Sequence, residues 1–458
     1  MKDRVSVGQV LELEILDLVQ GGEGLGKLED FTIFVPQSLP NDIVEIEIIS
    51  VKPNYARGLI KKIIKPSTFR VKPECPVTKE CGGCQWQELE YKIQLKTKEK
   101  LLIDNLIRIG SVPKEDIDTS YQRIIGMDNT FYYRNKSQFP FNKEDGKVKG
   151  GFYAQSSHKL IEIEKCYIQS EIINFIFREV RDLIKKYNIE IYNEKTDKGL
   201  FRHLVIRHAF TSNEVLIGFV TKAGKISNIK EIVNHLTNKF PQIVGIVQNI
   251  NDKKSNVILG QKNISLYGKE FIIEQIKDLK FKVSLHSFFQ INPVQTVNLY
   301  NKVLEYTNLT GVETVLDAYA GAGSISLFLA KNSKKVIGIE VVKEAVSDGI
   351  ENAKINNIEN FTFKEGKVED ILPKVLSKNS IDVIVLDPPR KGCEDYIFDS
   401  ISENNVKKLV YVSCNPSTLA RDAKLIYEAG YKLTKFQPVD MFPHTYHLET
   451  VCLFEKIS

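Results

Sequence analysis

No stretch of this sequence stays apolar for the roughly 20 residues that cross a membrane. The opening MKDRVSVGQV holds no signal-peptide hydrophobic core. A cytoplasmic protein is the expectation. Internal repeats and low-complexity tracts are also missing. Charge of one sign is in small excess only: 63 Lys and Arg stand against 58 Asp and Glu, a net of +5. That total says little about partners, because distribution matters more. One segment does lack acid altogether. Residues 51–73, VKPNYARGLIKKIIKPSTFRVKP, carry seven Lys or Arg and no Asp or Glu. Such a stripe suits a polyanion such as RNA, although a solvated strand face would look the same.

Two glycine motifs fall short of familiar forms. GGEGLG at 21–26 lacks the Gly-Lys-Ser/Thr ending of a phosphate loop and reads as a hairpin turn. LDAYAGAGSIS has Gly321 and Gly323, but Ser326 stands where a dinucleotide fingerprint needs its third glycine.

What is present fills about three domains, since 458 residues divide into units of roughly 100–200. Hydrophobic content of 42% and charge of 26% are ordinary for a globular chain. Residues 1–62 alternate in short strands with glycine turns, the pattern of a small oligonucleotide-binding (OB-like) barrel. Residues 63–283 mix clustered cysteines, a helix near 88–109 and further strands. There FYYRNKSQFPF and FRHLVIRHAF set Arg134, Lys136, Arg202 and Arg207 beside aromatics. Basic groups hold phosphates and aromatic faces stack on unpaired bases, though cross-strand packing explains the aromatics equally well. From residue 284 strands alternate with helices, which predicts an α/β domain with a mostly parallel sheet.

The strand, Gly-rich turn and helix of LDAYAGAGSIS let a ligand approach the strand's carboxyl end. Glu340 ends the next strand, placed for two ribose hydroxyls, and Asp317 precedes the turn. S-adenosylmethionine fits this better than a nicotinamide cofactor. It has no pyrophosphate, and its ammonium wants acceptors. In LDPPRKG, two prolines stiffen the exit from a strand and leave Asp387 at the sheet edge.

YVSCNPSTLARD ends a strand on Cys414 and opens a helix at Asn-Pro. Pro416 suits a first helical turn, and a helix N-terminus should lower the thiol pKa. A thiolate there could attack carbon 6 of a uracil and make carbon 5 nucleophilic enough to take a methyl group. The chemistry then needs a base for the carbon 5 proton. MFPHTYHLETVCLFEK offers Glu449, with His444 and His447 more suited to packing and orientation. Cys393 and Cys452 lack such context and read as structural. Cytosolic cysteines in clusters more often bind metal than pair as disulfides.

With these residues in view, the chain resembles the bacterial RNA uracil-5-methyltransferase family of the RumA type, which modifies ribosomal RNA. The likeness spans almost the whole length and rests on CPVTKECGGCQWQ, YYRNKSQFPF, GFYAQSSHKLIEIEKC, SFFQINPVQT, LDAYAGAG, LDPPRKG, YVSCNPSTLARD and FPHTYHLETV. The resemblance implies a TRAM barrel at 1–62, a central α+β RNA-binding domain at 63–283 and a Rossmann-like methyltransferase domain at 284–458. A helix at about 88–115 would pack on the catalytic domain. It implies Cys414 as nucleophile and Glu449 as base. Contacts to S-adenosylmethionine would come from Gln290, Tyr319, Glu340 and Asp387. Phe288 would stack beside a uridine flipped from its RNA.

Cys75, Cys81 and Cys84 read C-x5-C-x2-C, and Cys166 supplies a fourth thiol. The resemblance implies a [4Fe–4S] cluster on them, with zinc as the rival metal. The radical pattern C-x3-C-x2-C is not met, so the cluster would be structural or RNA-positioning. The family's transfer-RNA branch generally lacks these cysteines, so 23S ribosomal RNA is the expected substrate and a monomer the expected state. Alternatives are a transfer-RNA uridine methyltransferase, a non-catalytic metal-stapled RNA-binding or ribosome-assembly factor, and a cytosine-5-methyltransferase.

Overall fold

Alternating apolar residues in VLELEILDL and IVEIEIISV give each strand one inward face. Five such strands close a barrel: β1 (Val10–Leu18), β2 (Gly24–Leu28), β3 (Phe31–Val35), β4 (Ile43–Val51) and β5 (Tyr55–Lys65), in the order β1-β2-β3-β5-β4. Ile15, Ile33, Val44, Ile46 and Ile48 fill the interior. The structure is a computed structural model that describes residues 5–457.

The barrel revises the basic stripe. Arg57 pairs with Glu23, and Lys61 with Glu47. Arg70 grips buried Asp42 through Nε at 2.9 Å and Nη2 at 2.7 Å, and also holds Glu88. Three of the seven basic groups are therefore engaged within the protein. Lys52, Lys62, Lys65 and Lys72 remain as the stripe's candidates for a polyanion.

Two helices follow, α1 (Tyr91–Arg108) and α2 (Lys114–Ser120). Next come β6 (Lys136–Glu144), β7 (Lys147–Tyr153), β8 (Leu160–Glu162), α3 (Glu171–Lys186), β9 (Phe201–His208), β10 (Val215–Thr221), α4 (Ile229–Lys239), β11 (Ile243–Ile250) and β12 (Lys262–Gly268). Their strands form one sheet in the order β12-β11-β10-β9-β6-β7-β8. Helices α3 and α4 cover one face with Phe177, Leu183 and Leu236. The other face brings Val205, Leu216 and Val247 into a core shared with the hairpin of β13 (Phe271–Ile276) and β14 (Leu279–Ser284).

The last part alternates α5 (Pro293–Thr307), β15 (Thr314–Ala318), α6 (Ser324–Ala330), β16 (Lys335–Glu340), α7 (Lys343–Ile355), β17 (Phe361–Glu365), α8 (Val368–Leu376), β18 (Val383–Leu386), α9 (Tyr396–Glu403), β19 (Lys408–Ser413), α10 (Pro416–Glu428), β20 (Tyr431–Val439) and β21 (Glu449–Lys456). The sheet order is β17-β16-β15-β18-β19-β21-β20, parallel except for β21. Its central strands read as unbroken apolar runs such as VIVL, as strands covered on both faces must. Helix α1 joins this core from the N-terminal side: Leu102 and Leu106 pack with Leu419, Ala420 and Ala423 of α10.

A buried ion pair locks that junction. Lys98 Nζ lies 2.6 Å from Asp440 Oδ1, and both side chains are fully buried. Tyr91 Oη donates to Asp440 Oδ2 at 2.7 Å, and Lys98 also donates to the Phe442 carbonyl at 3.2 Å. Gln94 accepts from the His444 amide at 2.9 Å. One helix thus fixes the loop leading to β21. Losing one partner of a buried pair leaves an uncompensated charge, which costs about 3–5 kcal/mol. Lys98→Met is expected to lower unfolding stability by about that amount. Adding Asp440→Asn should recover much of the loss, as urea denaturation would show.

Candidate active site

In a parallel sheet every strand ends at one edge, and ligands gather there. Asp317 lies in β15, Glu340 ends β16, Asp387 follows β18 and Cys414 follows β19. Glu449 arrives differently. Strand β21 runs antiparallel, with Thr450 opposite Ser413, so its first residue lies at the same edge where its parallel neighbours finish. One reversed strand thus sets a carboxyl group beside the thiol.

The donor side of the edge is a sharp turn. Tyr319 and Gly321 take φ of 64° and 57°, in the left-handed region. A bulky residue is strained there, and such strain collects at functional sites. Gly321 N–H donates to Glu340 Oε2 at 2.9 Å, while Val341 and Val342 N–H donate to Oε1 at 2.9 and 2.8 Å. Three amides therefore hold the carboxylate. Asp317 is buried; its Oδ2 accepts from Ser326 Oγ, and its Oδ1 has no partner. Burial, then the neighbouring Asp387 and Glu340, push its pKa up to about 7 against the pull of Ser326. An orphaned buried carboxylate oxygen is an acceptor for an ammonium, so the residues present fit S-adenosylmethionine. Tyr319 Oη donates to Glu369 at 3.2 Å. The carbonyl of buried Gln290 accepts from Asn135 Nδ2 at 3.2 Å.

Cys414 opens onto a pocket of about 100 Å³. Its walls include Arg390, Lys98, Asn105, His447 and, from the barrel, Gln20. Gln20 Nε2 donates to Asn415 Oδ1 at 2.8 Å. Asn415 caps α10 by accepting from Ser417 N–H at 3.1 Å, with Pro416 at the start of the helix.

The expected lowering of the thiol pKa is not met. Burial first, then Glu449 and Asp387, push Cys414 up to about 12, while Arg390 pulls the other way. Two nearby acids and lost solvent outweigh the helix end. Glu449 is fully buried and held well above the carboxylate range by that burial and by Asp387. Burial pushes Asp387 to about 7.

His444 and His447 are driven down to about 4, chiefly by burial, and remain neutral. His444 stacks on Phe131 with ring centroids 4.6 Å apart. Cys393 and Cys452 are buried. Arg202 is buried too, donating to the Asn251 carbonyl at 2.7 Å, and so is no surface RNA contact.

Sequence reasoning overlooked Arg390, Gln20, Lys98 and Tyr300. Arg390 stood within a quoted motif and could have been found. Tyr300 is buried, feels Asp387, Asp317 and Glu449, and donates to Ser324 Oγ at 2.8 Å. Nothing in its helix distinguishes it locally.

Cys81 and Cys84 line a pocket with Gly22 and Gln37 of the barrel, and Cys166 packs against the core of the central sheet. Cys84 feels the charge of Cys166, Cys81 and Cys75. Backbone amides of Val77, Gly83 and Ile168 bond to the sulfurs of Cys75, Cys81 and Cys166 respectively. Among the described residues no group of three or more His, Cys, Asp or Glu has closed to metal-holding geometry. The soft donors and their amide bonds nevertheless fit a thiolate-bound metal group.

A doubly wound sheet with acids around a glycine turn places a nucleotide-type ligand site at the carboxyl edge, and known proteins sharpen this. The family described as tRNA (Uracil-5-)-methyltransferase matches residues 90–457, and the TRAM domain matches 4–61. The chain belongs to that family and is an S-adenosylmethionine-dependent RNA uracil-5-methyltransferase. An uncharacterized RNA methyltransferase of Clostridium tetani is 45% identical, over 98% of this chain and 97% of its own. One from Bacillus cereus is 43% identical over 100% and 99%. The crystal structure of Pyrococcus abyssi tRNA (uracil-54, C5)-methyltransferase with S-adenosyl-L-homocysteine superposes with a TM-score of 0.77 at 28% identity, covering 96% of this chain and 99% of that one. No described helix is long and apolar enough to cross a membrane.

Burial raises the pKa of Cys414 to about 12 and holds that of Glu449 well above the carboxylate range. The single-turnover methylation rate should therefore climb between about pH 6 and 9. Stopped-time assays across that range check this; a rate already flat at the acid end would contradict it.

Proposed function

We propose that the chain methylates carbon 5 of a uridine in 23S ribosomal RNA through a covalent bond from Cys414 to carbon 6. The observation that carries this is the shared electrostatic site of Cys414, Glu449, Asp387 and Arg390. S-adenosylmethionine supplies the electrophilic methyl group, held by Gln290, Tyr319, Glu340 and Asp387. Cys414 gives its proton to solvent in the pocket and its sulfur bonds to carbon 6 as the double bond between carbons 5 and 6 breaks, so that its electron pair moves to carbon 5 and the carbonyl oxygen. Arg390 offsets the negative charge. After methyl transfer, the Glu449 carboxylate takes the carbon 5 proton, the bond from carbon 6 to sulfur breaks, and thiolate leaves. Phe288, highly exposed, is available to stack beside the flipped base.

Cys414→Ala should abolish methyl transfer, and RNA carrying 5-fluorouridine should trap a covalent adduct on the unaltered protein. Glu449→Gln should still form adduct but release product about 10²–10⁴-fold more slowly. Free turnover by Cys414→Ala, measured with labelled methyl donor, would end the covalent reading.

Cys75, Cys81, Cys84 and Cys166 would hold a [4Fe–4S] cluster that shapes the central domain for RNA. This set supports ribosomal over transfer RNA, while the Pyrococcus neighbour's substrate supports the reverse. Anaerobic preparations should contain iron and acid-labile sulfide, lost in Cys81→Ser; stoichiometric zinc instead would overturn the cluster. Mass-spectrometric mapping of 5-methyluridine with and without the protein should show loss in 23S RNA. Loss confined to transfer RNA would overturn the target.

A further inference from the structure

Strands β6 and β9 place Lys136 directly opposite Arg207. Like charges in that relation destabilise a sheet, and period-two geometry adds Arg134 to the same side. Burial first, then Arg207 and Arg134, both of its own sign, push the Lys136 pKa down to about 7. Arg207 is buried and donates through Nη2 to the carbonyls of Leu285, at 3.2 Å, and Ser287, while its Nε has no partner. The acid acting on Arg207 is Asp348, which already accepts from Ser287 Oγ at 2.7 Å. Unlike Arg207, Lys136 has no carboxylate among the described residues acting on it.

Their location gives this pair a use. Asn135, next to Lys136, donates its N–H to the Ile291 carbonyl at 3.0 Å and its Nδ2 to the Gln290 carbonyl. Arg207 holds the backbone just before Phe288. Arg207 and the residue beside Lys136 are thus bonded to the segment that carries Phe288 and Gln290. Lys136 is partly exposed, with Arg207 behind it. A nucleotide flipped into the pocket brings its flanking phosphates to the protein surface, and a phosphate beside Lys136 would relieve the like-charge contact.

We propose that Lys136, backed by Arg207, receives a phosphodiester of the RNA at or beside the uridine entering the Cys414 pocket. This rests on uridine methylation at that pocket. A charge-assisted contact to phosphate adds affinity and releases about one counterion. A bound phosphate favours the charged form of Lys136 that burial and Arg207 oppose in the free protein.

The test measures filter binding of the full-length protein to in-vitro-transcribed 23S ribosomal RNA, and separately to transfer RNA transcripts, without methyl donor, from about 50 to 200 mM salt. Lys136→Gln should weaken binding about tenfold and flatten the slope of log affinity against log salt by about 0.7–0.9. Its thermal midpoint should equal or exceed that of the unaltered chain, since a repulsion is gone. Lys136→Arg should restore slope and affinity. In methylation assays the Lys136→Gln loss should appear in KM more than in kcat. An unchanged slope and affinity with both RNAs would overturn the phosphate site while leaving methyl transfer intact. Failure of the unaltered protein to methylate either RNA would overturn the reaction, and this site with it. A lowered midpoint in Lys136→Gln with no rescue of binding by Lys136→Arg would make the lysine structural and also end the proposal.

Discussion

The carboxyl edge of the catalytic sheet is crowded with groups that cannot all be charged at once. Asp317, Asp387, Glu449 and Cys414 are buried or partly so, and each has its pKa raised, chiefly by loss of solvent. Repulsion among them adds to desolvation. Arg390 is a cation that acts on both Cys414 and Glu449. A positively charged methyl donor is therefore more than a reagent here, because its charge favours the ionised acids around it.

The site is also assembled from distant parts of the chain. Gln20 reaches from the barrel to the cap of α10. Helix α1 sends Lys98 to Asp440 and Gln94 to His444, and so fixes the loop before Glu449. The main chain of Gln290 is tied to the central sheet through Asn135. Disturbing the seating of the barrel or of α1 would shift Cys414 or Glu449.

Much of this was legible from local pattern. Barrel strands, the glycine turn and the strand that stops at Cys414 each declare themselves through periodicity or turn chemistry. The carboxylates at 340 and 387 were visible because strand ends were. The basic stripe was legible as charge but not as availability: Arg57, Lys61 and Arg70 meet acids from other turns of the barrel. Arg202 looked like Lys136 in sequence, yet one is buried against carbonyls and the other reaches solvent. Tyr300 carried no signal because its helix is amphipathic in the ordinary way.

By itself the sequence determined the elements, their order and the residue types able to carry thiol-based methyl transfer. These depend on short-range rules of side-chain period, backbone restriction and capping. Tertiary structure alone decided which charges are free, which acids face one another and what the thiol's pKa becomes. Those quantities depend on solvent exclusion and on separations of a few ångströms between residues far apart in the chain, such as Lys98 and Asp440. Local pattern can place a cysteine at a strand tip. Only the folded protein surrounds it with two carboxyl groups and one guanidinium.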